Sequence, residues 1–250
     1  MAFERFVVEG GRRLEGTIRP GGNKNAALPI LAACLLTDEP VILRNLPDIQ
    51  DVRVMLQIME GLGTTVEKLE PNVFRLHTKG ECSSTPDPEL SKKIRASILL
   101  AGPLLARCGA ANVAKPGGDA IGRRRVDTHL LALEALGAQI EVSAHEYRMS
   151  AKALIGKHMF LDEASVTATE NAITAAVLAS GETTIYNAAA EPHVQDLCRF
   201  LNLLGANIEG IATNSLRIRG VDALEGGDFY IPSDHIEVGS YIGLAVVTRS

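Results

Sequence analysis

Residues 116–129 read PGGDAIGRRRVDTH, a stretch that sets one carboxylate, Asp119, between two glycines and three consecutive arginines, Arg123, Arg124 and Arg125. Those residue types suit proton transfer to an anion. An arginine fork stays charged at working pH and grips phosphate or carboxylate through paired contacts. A carboxyl group closed over such a substrate becomes a useful acid once its pKa is raised, and Gly117 and Gly118 would let the loop open and close. A second cluster, GGNKN at 21–25, brings glycines, Lys24 and Asn25 to the start of an apolar helix, where N–H groups and the helix dipole favour an anion. It lacks the spacing of a P-loop. On residue types alone both stretches have plain alternatives, a solvated loop with a charged face and a turn with a helix cap.

The elements that must position these residues repeat. LGTTVE begins at Leu62, LGAQIE at Leu136 and LGANIE at Leu204, an interval of about 70 residues. An amphipathic segment precedes each one, and its apolar positions recur at three and four residues, the helical period. A short alternating hairpin follows each one. The glycine of each LG pair suits a helix C-terminus because it accepts the left-handed conformation. Upstream in each unit stands an alanine-rich helix that is apolar nearly all round: NAALPILAACLL, RASILLAGPLLA and ENAITAAVLA. Such helices need burial on every side. Each unit therefore reads strand, buried helix, strand, amphipathic helix, hairpin. Three units hide their apolar helices by clustering them centrally with sheets outside. DFYIPSDHIEVGSYIGLAVVTRS, from 228 to 250, reads as the start of a fourth unit that lacks its sheet, so the sequence predicts a fragment of a longer protein.

Bulk properties narrow the function classes. The chain has 250 residues, 46% of them hydrophobic, and a formal net charge of −5, enough for one large domain or two small ones. The acidic balance argues against broad nucleic-acid binding, though a local basic cluster can still hold a small anion. No apolar run is long enough to span a membrane, and MAFERFVVEG carries charge where a signal peptide has its apolar stretch, so a cytoplasmic location is expected. Cys34, Cys82, Cys108 and Cys198 stand far apart in sequence, which favours free thiols over disulfides or zinc. The six histidines form no triad or metal set, and His129 is expected to be a packing or surface residue. No metal or organic cofactor is indicated.

Several motifs in order carry a resemblance: GGNKNAALPILAACLL followed by PDIQDV, then RASILLAGPLLAR, PGGDAIGRRRVDTHL and SVTATENAITAA. Together they resemble the UDP-N-acetylglucosamine 1-carboxyvinyltransferase family of enolpyruvyl transferases, in register along the whole chain. The resemblance implies an inside-out α/β barrel of three βαβαββ repeats, helices inside and sheets outside. Residues 22–231 would form one complete domain, with repeats at about 22–80, 81–153 and 154–221; residues 1–21 and 232–250 would begin a second. It also implies transfer of an enolpyruvyl group from phosphoenolpyruvate to the 3-hydroxyl of UDP-N-acetylglucosamine, the first committed step of peptidoglycan synthesis, with this chain alone inactive.

Residue by residue, the resemblance makes Asp119 the proton donor, at a position where most members carry cysteine and a minority aspartate. Lys24, Asn25 and Arg124 would bind phosphoenolpyruvate. Arg95, Arg124, Arg125, Val126, Asp127, Thr128, Ser165, Val166 and Thr167 would bind the sugar nucleotide. Arg125 departs from the family's frequent proline, and Glu163 stands where a lysine can occur. Asp234 would either approach the nucleotide or cap a helix. Fosfomycin alkylates the loop cysteine of the family, so an aspartate there implies resistance. The shikimate-phosphate enolpyruvyl transferases share the fold and chemistry, but their lysine is followed by serine and soon by arginine, and KNAALPIL has neither. A non-catalytic nucleotide-binding paralogue is the other reading. Self-association through 236–247 is expected, since that apolar helix lacks its sheet.

Overall fold

The computed structural model describes residues 5–117 and 125–250. Three sheets enclose a set of central helices, as the repeat predicts. The first unit holds helix α1 (Lys24–Ala33), strand β1 (Val41–Arg44), helix α2 (Gln50–Leu62) and the hairpin β2 (Thr65–Glu70) and β3 (Val73–His77). The second holds a short helix α3 (Pro88–Ser91), a 3-10 turn (Arg95–Leu100) continuing into α4 (Ala101–Cys108), then β4 (Ala110–Ala114), α5 (Asp127–Ala135), β5 (Gln139–Val142) and β6 (Glu146–Ser150). The third holds β7 (His158–Phe160), α6 (Val166–Ala176), β8 (Glu182–Tyr186), α7 (Pro192–Leu203), β9 (Asn207–Glu209) and β10 (Ser215–Arg219). Strand β11 (Gly227–Tyr230) and helix α8 (His235–Thr248) follow.

The alanine-rich helices form the core. Ala26 to Ala33 of α1, Ala96 to Leu105 across the 3-10 turn and α4, and Ala168 to Ala176 of α6 are all buried. Small side chains let them approach closely. A Cβ on Gly102 of α4 would lie 2.4 Å from the Thr174 hydroxyl of α6, so only glycine fits at that crossing. Around this core the hairpins alternate: Tyr147 and Met149 of β6 and Leu216 and Ile218 of β10 point inward, while Arg148 and Arg217 face solvent and pair with Glu146 and Glu209. The three LG stops behave alike, with Gly63, Gly137 and Gly205 at φ 106°, 105° and 98°.

Sheet order corrects one expectation. The third sheet runs β7-β8-β10-β9 with β7 parallel to β8, and the first runs β11-β1-β3-β2 with β11 parallel to β1. Strand β11 therefore does not open a fourth unit; it supplies the missing first strand of the first. The second sheet is β4-β6-β5, and no leading strand is found there among the described residues. Ser84 accepts a backbone hydrogen bond from Asn112 of β4, so the segment before α3 runs beside that sheet without forming a ladder.

Candidate functional site

A cleft of about 450 Å³ opens where the starts of five helical segments meet. Lys24 and Asn25 begin α1, Asp51 is the second residue of α2, Arg95 begins the 3-10 turn, Val166 and Thr167 begin α6, and Glu191 and His193 flank the start of α7. Each helix start carries partial positive charge. At Ile49, Ile94 and Glu191, the residues before α2, the 3-10 turn and α7, no side chain caps the first turn. At α2 and the 3-10 turn the first-turn N–H groups are the donors that a helix end normally satisfies with a side chain, water or a ligand, whereas α7 opens on Pro192, which has none, and its Val194 N–H already bonds to the Glu191 carbonyl. By contrast, Asn23 caps α1 through the N–H groups of Asn25 and Ala26, and Ser165 caps α6 through Ala168.

Charged side chains add to this field. Lys24 forms an ion pair with Asp51 at 2.8 Å, and Lys93 and Arg95 line the same wall. Arg95 also donates to the carbonyl of Arg125 at 3.1 Å, joining the cleft to the start of α5. Glu170 is fully buried in the cleft lining, and one carboxyl oxygen has no hydrogen-bond partner. Burial, with a smaller contribution from nearby Glu191, pushes its pKa well above the usual carboxylate range, so the neutral acid is favoured.

A hydrogen-bond chain fixes one hydroxyl at the cleft edge. Asn171 of α6 accepts from the Gly102 N–H through its carbonyl oxygen, and its amide nitrogen donates to the Ile98 carbonyl and to His129 Nδ1. His129 Nδ1 is therefore the acceptor and Nε2 carries the proton. That Nε2–H donates to Thr167 Oγ1 at 3.0 Å, leaving the Thr167 hydroxyl proton free to be donated toward the cleft. Burial, and then the charge of Arg95, pulls the His129 pKa down to about 3, which keeps the ring neutral. His129 is thus a buried polar link rather than a surface residue.

Five residues singled out in the sequence line this cleft together: Lys24, Asn25, Arg95, Val166 and Thr167. Others sit beside it. Ser165 is the α6 cap, Val126 is buried, Thr128 donates to Asp162 at 2.7 Å, and Arg125 is exposed and paired with Asp127 at 2.6 Å. Asp119 and Arg124 lie outside the described residues. Gly117 is packed rather than open: a Cβ there would stand 1.7 Å from the Lys92 carbonyl oxygen, so the chain just after β4 rests on the segment carrying Lys93 and Arg95. Asp234 caps α8 through the N–H groups of Ile236 and Glu237. Sequence reasoning passed over Asp51, Lys93, Glu170, Glu191, His193 and the Asn171–His129 link. A polar residue inside an alanine-rich buried helix, or at a helix start, was the available signal. Among the described residues no group of His, Cys, Asp or Glu could hold a metal ion, and no helix is long and apolar enough to cross a membrane.

A three-unit α/β body with helices inside and a cationic cleft at their starts defines the enolpyruvyl-transferase class, and solved structures agree. The enolpyruvyl transferase NikO from Streptomyces tendae superposes with a TM-score of 0.80 at 25% identity, over 93% of this chain and 55% of that one. An EPSP synthase from Acinetobacter baumannii, at TM-score 0.74 and 20% identity, shares the fold. The chain belongs to the EPSP synthase (3-phosphoshikimate 1-carboxyvinyltransferase) family, whose profile matches residues 8–250. Within it, proteins named UDP-N-acetylglucosamine 1-carboxyvinyltransferase are similar over nearly all of this chain. Those of Treponema denticola and Bradyrhizobium diazoefficiens are each 55% identical, over 99% and 100% of the chain. The chain spans 58% of the length of either relative.

Proposed function

We propose that this chain supplies the substrate cleft of an enolpyruvyl transferase acting on phosphoenolpyruvate and UDP-N-acetylglucosamine. The observation that carries the reading is the meeting of five helix starts, three without side-chain caps, beside Lys24, Lys93 and Arg95. Such a field suits a ligand with several negative oxygens. The names of the relatives at 55% identity supply the substrate class. In this reading Lys24, Asn25 and Arg124 hold phosphoenolpyruvate. Arg95, Arg124 to Thr128 and Ser165 to Thr167 hold the sugar nucleotide, with the Thr167 hydroxyl as a donor fixed by His129. Asp119 gives a proton to the methylene carbon of phosphoenolpyruvate, and the sugar 3-hydroxyl oxygen adds to the neighbouring carbon as its own proton passes to a general base. A base then takes a proton from the new methyl group, the C–H electron pair restores the double bond, and phosphate leaves with the C–O bonding pair. In this reading the reaction takes place in the cytoplasm. Residues 22–231 act as one body, while 1–21 and 232–250 belong to a second.

Isothermal titration separates the acceptors. UDP-N-acetylglucosamine should release heat on binding and shikimate 3-phosphate should not; the reverse result would remove the reading. In protein spanning the full length of the relatives, Asp119→Asn should lower kcat by roughly 100-fold or more, the span of a general acid. Binding without any phosphate release by that longer protein would favour the nucleotide-binding paralogue. The same protein should withstand fosfomycin, whereas Asp119→Cys should be alkylated by it.

A further inference from the structure

Two cysteines far apart in sequence meet in space at the junction of the first and second units. Cys82 follows β3 and Cys108 ends α4, and their sulfur atoms are 2.9 Å apart. Both are partly exposed, whereas Cys34 and Cys198 are buried. The backbone on each side is pinned. The Arg107 guanidinium donates to the carbonyls of Leu35, Thr37, Thr78 and Gly80 and pairs with Asp38 at 2.5 Å. The Ser83 N–H bonds to the Leu62 carbonyl, and the Gly109 carbonyl accepts from Ala151. A bond between the sulfurs requires them to close to about 2.0 Å, a small step for side chains on such a frame.

We propose that Cys82 and Cys108 form a reversible thiol–disulfide site, closed by exchange with a low-molecular-weight disulfide. The cysteines have unequal roles. The Cys108 thiol points its hydrogen at the Cys82 carbonyl oxygen, 3.6 Å away, which marks Cys108 as the protonated partner. The hydrogen bond with Cys108, and then the charge of Arg107, lower the Cys82 thiol pKa against burial, while Cys108 is pushed up. Cys82 is the attacking thiolate in this proposal and Cys108 the resolving thiol. The Cys82 thiolate attacks one sulfur of the oxidant and expels a thiolate. That thiolate takes the Cys108 proton, and the Cys108 sulfur attacks Cys82, releasing the second small thiol. Two protein thiols and one small disulfide give one protein disulfide and two small thiols. The loop so closed carries Lys93 and Arg95 of the cleft wall, in the unit whose sheet has no described leading strand. The bond would tether by covalent means a segment that β11 and β7 hold by pairing in the other units.

The full chain, first reduced, is exposed to oxidised glutathione and then alkylated without denaturant for peptide mass spectrometry. The expected result is a joined pair of peptides containing Cys82 and Cys108, lighter by two hydrogens and separated again by dithiothreitol. Cys108→Ser should instead accumulate glutathione on Cys82, and Cys82→Ser should leave Cys108 unmodified. Two persisting free thiols, or a stable glutathione adduct on Cys82 in the native sequence, would overturn the proposal. The native-sequence result stands even if a serine variant folds poorly. It is also independent of the enolpyruvyl reading, because neither cysteine lines the cleft.

Discussion

Helix α6 buries every residue from Ala168 to Ala176, whereas α8, which carries more large apolar side chains, buries none of its residues. Both are apolar nearly all round. The difference lies in what surrounds them. Helix α6 crosses α4 at Gly102, is tied to α5 through Asn171 and His129, and lies under the sheet of β8 and β10. Helix α8 faces residues 13–18 across an open groove of about 660 Å³. Apolarity on every side states what a helix needs, and only neighbouring sheets provide it.

The largest expected effect tests that contrast directly. Ile173→Ala in α6, where the side chain is wholly buried, should cost about 2–5 kcal/mol in urea unfolding. At a dilution that keeps the chain monomeric, Ile242→Ala in α8, where the residue is 61% exposed, should change stability by less than about 0.5 kcal/mol. Equal costs would mean that α8 is enclosed in solution and the contrast is false. Next in size is association. Each apolar side chain of α8 covered by another copy contributes roughly 1.5–3 kcal/mol, so light scattering should report oligomers for the chain and smaller species when it ends at residue 231. A clean monomer of the uncut chain would show that exposure of Ile236, Ile242, Val246 and Val247 has no such consequence.

The smallest effect sharpens the account of how α6 is held. His129 has a folded pKa of about 3, below its ordinary value of 6.5, so between those values the unfolded chain binds more protons. Stability from the neutral ring is fully present above pH 6.5 and is lost as pH falls toward 3, at up to about 1.4 kcal/mol per pH unit. His129→Gln removes the titration, so any advantage of the wild type at pH 7 should shrink at pH 5. Parallel denaturation curves at the two pH values, with an unchanged difference, would show that His129 is not held neutral.

Much of the body was legible because its signals are local. The LG stops, the alanine-rich helices and the alternating hairpins each announce themselves within a dozen residues, and so does Lys24 in GGNKN at a helix start, whereas Arg95 and Thr167 stood out only through the family resemblance. What escaped depends on distant pairing. Nothing near Val41 says that its parallel neighbour is Gly227, and Cys82 and Cys108 show no motif spacing although their sulfurs meet. The polarity of Asn171 and His129 was visible, but not that each satisfies the other inside the core.

The pairing of β11 with β1 also sets an order of events during synthesis. Val41 emerges from the ribosome well before Gly227, its partner in the ladder. At about 5–20 residues per second the wait is roughly 10–40 s. For that time one edge of β1 has no native neighbour and offers its backbone to any other nascent strand. The unit translated first is therefore the last to be completed. A ribosome-associated holding chaperone would have most to protect in that interval, and a translational pause placed before Gly227 would lengthen the exposure.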